Sequence, residues 1–96
     1  MRIGLVIGST VATIKDEALH GRKLLIFQET DPTGTPAGPA QVAIDTVSAG
    51  TGDLVLVTGG SSAQRTVATR EAPVDAVIVG VIDTLEVNGS VTFRKG

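Results

Sequence analysis

The chain has no cysteine, tryptophan or tyrosine, a single histidine and two phenylalanines. Each shortage removes a class of chemistry. Without cysteine there is neither a disulfide scaffold nor a thiolate metal site. One imidazole, His20, cannot build a two-histidine metal centre within one copy, so it reads as a surface loop residue. An aromatic content of 2% leaves little for nucleic-acid bases to stack on, and a net charge of -2 offers no general attraction to a phosphate backbone or an anionic lipid surface. Long apolar runs are also missing: nothing approaches the roughly 20 residues that span a bilayer, and the opening MRIGLVIGST breaks at Gly8-Ser9-Thr10, too early for a secretory leader. The expectation is a cytoplasmic protein that engages neither nucleic acid nor membrane.

What the chain does hold is 42% hydrophobic residues, drawn mainly from Val, Ile, Leu and Ala. Such a core favours strands, and 96 residues suffice for one modest core, so residues 1–96 read as a single domain. Met1, Ile3, Leu5 and Ile7 alternate with Arg2, Gly4, Val6 and Gly8, which predicts a first strand through Val11 or Ala12. Lys23 to Gln28 predicts a second. Glu29 to Ala40 carries Pro32, Pro36 and Pro39 with Gly34 and Gly38, and reads as a long irregular surface loop. Gln41–Val47 and Leu54–Thr58 predict strands three and four across a glycine turn, and the Val/Ile run from Val74 to Ile82 predicts a fifth. Ser61 to Arg65 could open a short helix capped by Ser61. Asn88-Gly89, flanked by Leu85, Val87, Val91 and Phe93, signals a terminal hairpin that packs on the barrel or on a neighbouring copy. The expected fold is all-β: a small five-stranded barrel of the oligonucleotide-binding type, closed to remove its edges, with a C-terminal hairpin and at most one short helix.

No catalytic constellation accompanies it. Ala49-Gly50-Thr51-Gly52 and Thr58-Gly59-Gly60-Ser61-Ser62 each resemble part of an anion-binding nest, but neither continues into a lysine and hydroxyl as a phosphate loop must. Asp16 with Glu17, or Asp45 with Asp53, could be named carboxylate pairs, yet nothing fixes a pocket around them. Ser61 and Ser62 sit in no nucleophile elbow. Neither an enzyme activity nor a cofactor is expected. The glycines read as places where backbones approach one another.

Several strings taken in order resemble the vertex-protein family of bacterial microcompartment shells. The opening string is Gly8-Ser9-Thr10-Val11-Ala12-Thr13, Lys15, Leu19, Gly21 and Lys23-Leu24-Leu25; the central one is Val42-Ala43-Ile44-Asp45, Val47, Ala49-Gly50, Gly52-Asp53 and Val55-Leu56-Val57. Gly60-Ser61-Ser62-Ala63 and Pro73-Val74-Asp75 with Val79 to Asp83 complete the pattern. The chain differs from the family's usual glycine at Ser48, glutamate at Asp53, and an alanine followed directly by arginine, since Gln64 stands before Arg65. In a helix one inserted residue turns the arginine by about 100°. The resemblance implies a homopentamer that caps the vertices of a polyhedral shell whose facets are tiled by hexameric proteins. It also implies that Ser48, Ala49, Gly50, Thr51, Gly52 and Asp53, together with Gly60, Ser61, Ser62, Ala63, Gln64 and Arg65, lie at the subunit contact or the central opening. The alternative reading is a nucleic-acid-binding or phosphate-binding module.

Overall fold

The computed structural model describes residues 1–59 and 75–96. Its strands are β1 (Arg2–Ser9), β2 (Lys23–Thr30), β3 (Pro36–Asp45), β4 (Leu54–Gly59), β5 (Ala76–Val81), β6 (Thr84–Val87) and β7 (Ser90–Arg94), with one 3-10 turn at Glu17–Leu19. The first five close into a barrel in the order β1-β2-β3-β5-β4, and β6 and β7 form a separate ribbon. All barrel neighbours are antiparallel except β3 and β5, which run parallel through Ile44↔Val77 and Asp45↔Ile78. The expected closed barrel with a terminal hairpin is the observed one.

Alternation decides which side chains fill it. β2 turns Leu25 and Phe27 inward, where they meet Val6, Ala43, Val55, Val57, Ala76 and Ile78. Phe27, 0% exposed, is the largest side chain of this core, and it fits because Gly4 lies against it: a Cβ at Gly4 would stand 2.6 Å from the ring. At one rim the Arg2 guanidinium lies 5.4 Å from the Phe27 centroid. It donates from Nη1 to Gln41 Oε1 at 2.9 Å, so the cation is hydrogen-bonded as well as attracted to the ring face.

The proline-rich segment corrects the sequence expectation. Far from being one irregular loop, it is the end of β2, a tight turn over residues 31–35, and the start of β3. Prolines enter sheets at a strand's first residue or in bulges, and both sites are used. Pro36 opens β3 opposite Thr30, and Pro39 falls where the register slips between the Thr30↔Pro36 and Gln28↔Ala40 pairs. Gln28 Nε2 donates to the Gly38 carbonyl at 3.1 Å, which satisfies an acceptor inside that bulge. The turn is organised by Asp31, whose Oδ1 accepts from the Thr33 hydroxyl at 2.6 Å, the Thr33 amide at 2.8 Å and the Thr35 amide at 3.1 Å. The Thr33 hydroxyl and then the amide bonds hold the Asp31 carboxyl below its ordinary pKa.

β1 ends at Ser9 and does not run on to Val11 or Ala12. A bulge between Val6 and Gly8 shifts its register with β2, the Thr10 amide makes a final bond to the Leu24 carbonyl at 3.2 Å, and the chain then leaves the sheet. The helix expected at Ser61–Arg65 falls outside the described residues. At the other end, Asn88 (φ 53) and Gly89 (φ 81) take the two left-handed conformations that a primed hairpin turn needs. The ribbon docks on its own barrel: Thr92 Oγ1 donates to the Pro32 carbonyl at 2.7 Å, and Gly34 (φ 84) leaves room for Leu54 and Phe93.

Candidate functional site

The segment between β3 and β4 is held by a compact set of bonds. Lys23, opening β2, stands directly across from Asp45, closing β3. Lys23 Nζ donates to the Ala49 carbonyl at 2.8 Å and lies 3.8 Å from Asp45 Oδ2. The Asp45 side chain is 1% exposed; Oδ1 accepts from the Val47 amide at 3.0 Å, while Oδ2 has no hydrogen bond. The nearby ammonium is thus the charge that compensates a buried carboxylate. Thr46 Oγ1 donates to the Ile78 carbonyl at 2.7 Å, tying the same corner to β5.

Beyond it the chain makes a closed loop. The Gly50 amide donates to Asp53 Oδ2 at 2.9 Å, the Asp53 amide to the Gly50 carbonyl at 3.0 Å, and the Gly52 amide to the Val6 carbonyl at 2.8 Å. The amides of Gly50, Gly52 and Asp53 are therefore spent within the chain, and a carboxylate occupies the hollow that an anion would need. The phosphate-nest reading loses its donors here. Asp45 and Asp53, a carboxylate pair on paper, each brace backbone amides instead.

Of the candidate contact residues in this loop, Ala49 is 1% exposed, its methyl buried in the subunit's own core. Ser48, Thr51 and Gly52 are exposed, and Gly50 and Asp53 are half-buried. A Cβ built at Gly50 or Gly52 would meet nothing within 4 Å in the same chain. Gly52 has φ 94 and needs glycine for its backbone, whereas Gly50 is not among the positive-φ residues. Gly60, Ser61, Ser62, Ala63, Gln64 and Arg65 lie outside the described residues. Lys23 stands in the opening string that resembles the family but was not among the candidate site residues, and its pairing with Asp45 is visible only in the strand register.

Ser48 has φ 60, a left-handed conformation that glycine adopts without steric cost. Ser48→Gly is expected to stabilise the fold by roughly 0.5–1 kcal/mol, the strain relief exceeding the added entropy of the unfolded chain. Urea denaturation at fixed protein concentration checks it, and a destabilised variant would mean that the hydroxyl contributes more than the strain costs.

His20 is exposed, with Nε2 2.7 Å from the Ile14 carbonyl. Among the described residues no group of three or more His, Cys, Asp or Glu side chains is placed to hold a metal ion. Both phenylalanines are committed elsewhere, Phe27 in the barrel interior and Phe93 in the ribbon, so neither lies on the outer β2–β3 face where barrels of this type bind nucleic acid.

Comparison with known proteins agrees with this architecture. The family described as ethanolamine utilisation protein EutN/carboxysome matches residues 1–83. The bacterial microcompartment shell vertex protein EutN of Escherichia coli is 39% identical over 95 residues, covering 99% of this chain and 100% of the relative. The solved structure of CcmL from Gloeobacter violaceus superposes with a TM-score of 0.91 at 38% identity, covering 99% of this chain and 98% of that one. The pentameric microcompartment shell protein GrpN from Rhodospirillum rubrum superposes with a TM-score of 0.81 at 42% identity, covering 91% of this chain and 99% of that one. A shared barrel, a matched family and relatives aligned nearly end to end lead to one conclusion: the chain belongs to the ethanolamine utilisation EutN/carboxysome family, whose named members include microcompartment shell vertex proteins.

Proposed function

We propose that this chain is a structural shell protein, forming a homopentamer that caps the vertices of a polyhedral microcompartment in the bacterial cytoplasm. The observation that carries the reading is the superposition of 91% of the chain on a shell protein described as pentameric. Physical reasoning supports it: a hexagonal sheet closes only with fivefold defects, and a closed ring is built from one heterologous contact repeated by rotation. Residues 1–96 act as one vertex domain, with Ser48 to Asp53 and Gly60 to Arg65 at the subunit contact or around the axis. The partners are other copies of the chain and the hexameric facet proteins of the shell. No chemistry is assigned to it, since the carboxylates of its central loop are bonded to backbone amides and its function is geometric.

Native mass spectrometry of the purified chain tests this directly. A homopentamer without added ligand is the expected result. A monomer or dimer at high micromolar concentration rejects the vertex role, and a hexamer moves the protein to another place in the shell.

A further inference from the structure

The outer surface around Leu24 is largely apolar and in part open: Leu24 and Ile26 are half-buried, and only Ile44 is fully covered. β2 turns Leu24 and Ile26 outward, in register with Ile44 and Val42 on β3, and Gly8 on β1 stands opposite Ile26. The adjoining bulge leaves Ile7 on the surface at 45% exposure, and Val42 is 47% exposed. From Thr10 the chain stands off the sheet as an irregular arm on which Val11 is 100% exposed. Two hollows flank Leu24: one of about 350 Å³ beneath the arm, with Arg22 and Lys23 at its edge, and one of about 210 Å³ bounded by Leu19, Val42, Ile44 and Ala76, with Asp75 at its edge. Among the described residues the other exposed large apolar side chains are Met1, Val87 and Val91; the last two belong to a ribbon on which Val91 pairs with Glu86 and Val87 with Ser90.

The chemistry of this face selects its occupant. It carries aliphatic side chains and no aromatic, so a flat base has nothing to stack on, while another aliphatic protein surface finds full van der Waals contact. A ring subunit must offer both halves of its contact. At roughly 800 Å² per partner for each interface, two interfaces cover more than a quarter of the 5620 Å² surface. An assembly of that extent draws its main driving force from covering exposed apolar side chains, and Ile7, Val11 and Val42 are among them.

We propose that the Val11 arm and the outer face around Leu24, Ile26 and Val42 form one half of the contact between neighbouring copies of this chain. The assignment rests on the ring reading above and adds a surface distinct from the Ser48–Asp53 loop. Because the chain has no cysteine, Val11→Cys introduces a single thiol as a reporter. In the assembled protein it should react with a maleimide roughly tenfold more slowly than in a Val11→Cys/Val42→Asp double variant, because burial under a neighbour blocks access. Val42→Asp and Val11→Asp should each give monomers in native mass spectrometry with the β-sheet circular dichroism retained. Val11→Asp guards against misfolding, since a fully exposed side chain is not needed by the subunit's own fold. A variant that stays pentameric with Val11→Cys labelled at a free thiol's rate overturns the contact surface and leaves the ring reading standing. A monomeric wild-type protein overturns both, and protection of the thiol in an oligomer of another order supports the surface while rejecting the pentamer.

Discussion

Phe27→Ala should cost about 3–5 kcal/mol of folding stability, the usual price of removing a fully buried aromatic. For a domain of this size that corresponds to a fall in Tm of roughly 15–30 °C. The ring is 0% exposed, fills the centre of the barrel, and also offers the face over which the Arg2 guanidinium lies, so its loss leaves a cavity and a cation without its π partner. The neighbouring position supplies the complementary experiment. Gly4→Ala places a Cβ 2.6 Å from the Phe27 ring and should cost about 1–3 kcal/mol by overpacking. In a Phe27→Leu background that cost should shrink, because the two changes share one volume. Urea denaturation at constant protein concentration measures the cycle. An undiminished Gly4→Ala penalty in the Leu background would mean that something other than the ring contact sets the need for glycine.

Gly50→Val should abolish ring assembly while leaving the subunit folded. Inside one chain a Cβ at this position meets nothing within 4 Å, and the residue is not held at positive φ. The isolated fold should therefore tolerate the change, or gain slightly from a stiffer unfolded chain. A crowded contact with a neighbour would lose about 1–3 kcal/mol at each interface, and the loss recurs around a closed ring. Gly52→Val cannot make this distinction, because φ 94 strains any side chain there whether or not a neighbour is present. Native mass spectrometry with circular dichroism gives the answer. A Gly50→Val pentamer would show that this loop faces solvent and not a neighbour, and would remove it from the contact.

Much of the barrel could be read from residues alone because its signals are local. The Leu/Val run of β4, the Val/Ile run of β5, and Asn88-Gly89 in the terminal turn each express a preference of a few adjacent residues. Alternation in β1 marked a strand but not its inner face: Gly4 and Val6 face the core, while Met1 and Ile7, from the more apolar set, are exposed. The positive φ at Asn88 and Gly89 is what that dipeptide is suited to adopt. The proline-rich segment misled for the same reason. Proline and glycine density describes local preference, but Pro36 and Pro39 are accommodated by where β3 starts and where its register slips against β2.

What the sequence by itself determined was the class: an aliphatic all-β chain without stacking aromatics, thiols or a paired base and nucleophile, whose ordered strings resemble shell vertex proteins. Tertiary structure alone decided the pairings that give this loop and this surface their character. Lys23 meets Asp45 across a strand register, Phe27 finds its room at Gly4, and the parallel seam of β3 with β5 brings Ile78 to Thr46. It also assigned the methyl of Ala49 to the core and left Val11 and Val42 uncovered by the subunit's own fold. Those outcomes join residues far apart in the chain, and a shift of register by one residue would reverse every one that depends on which face a strand side chain takes.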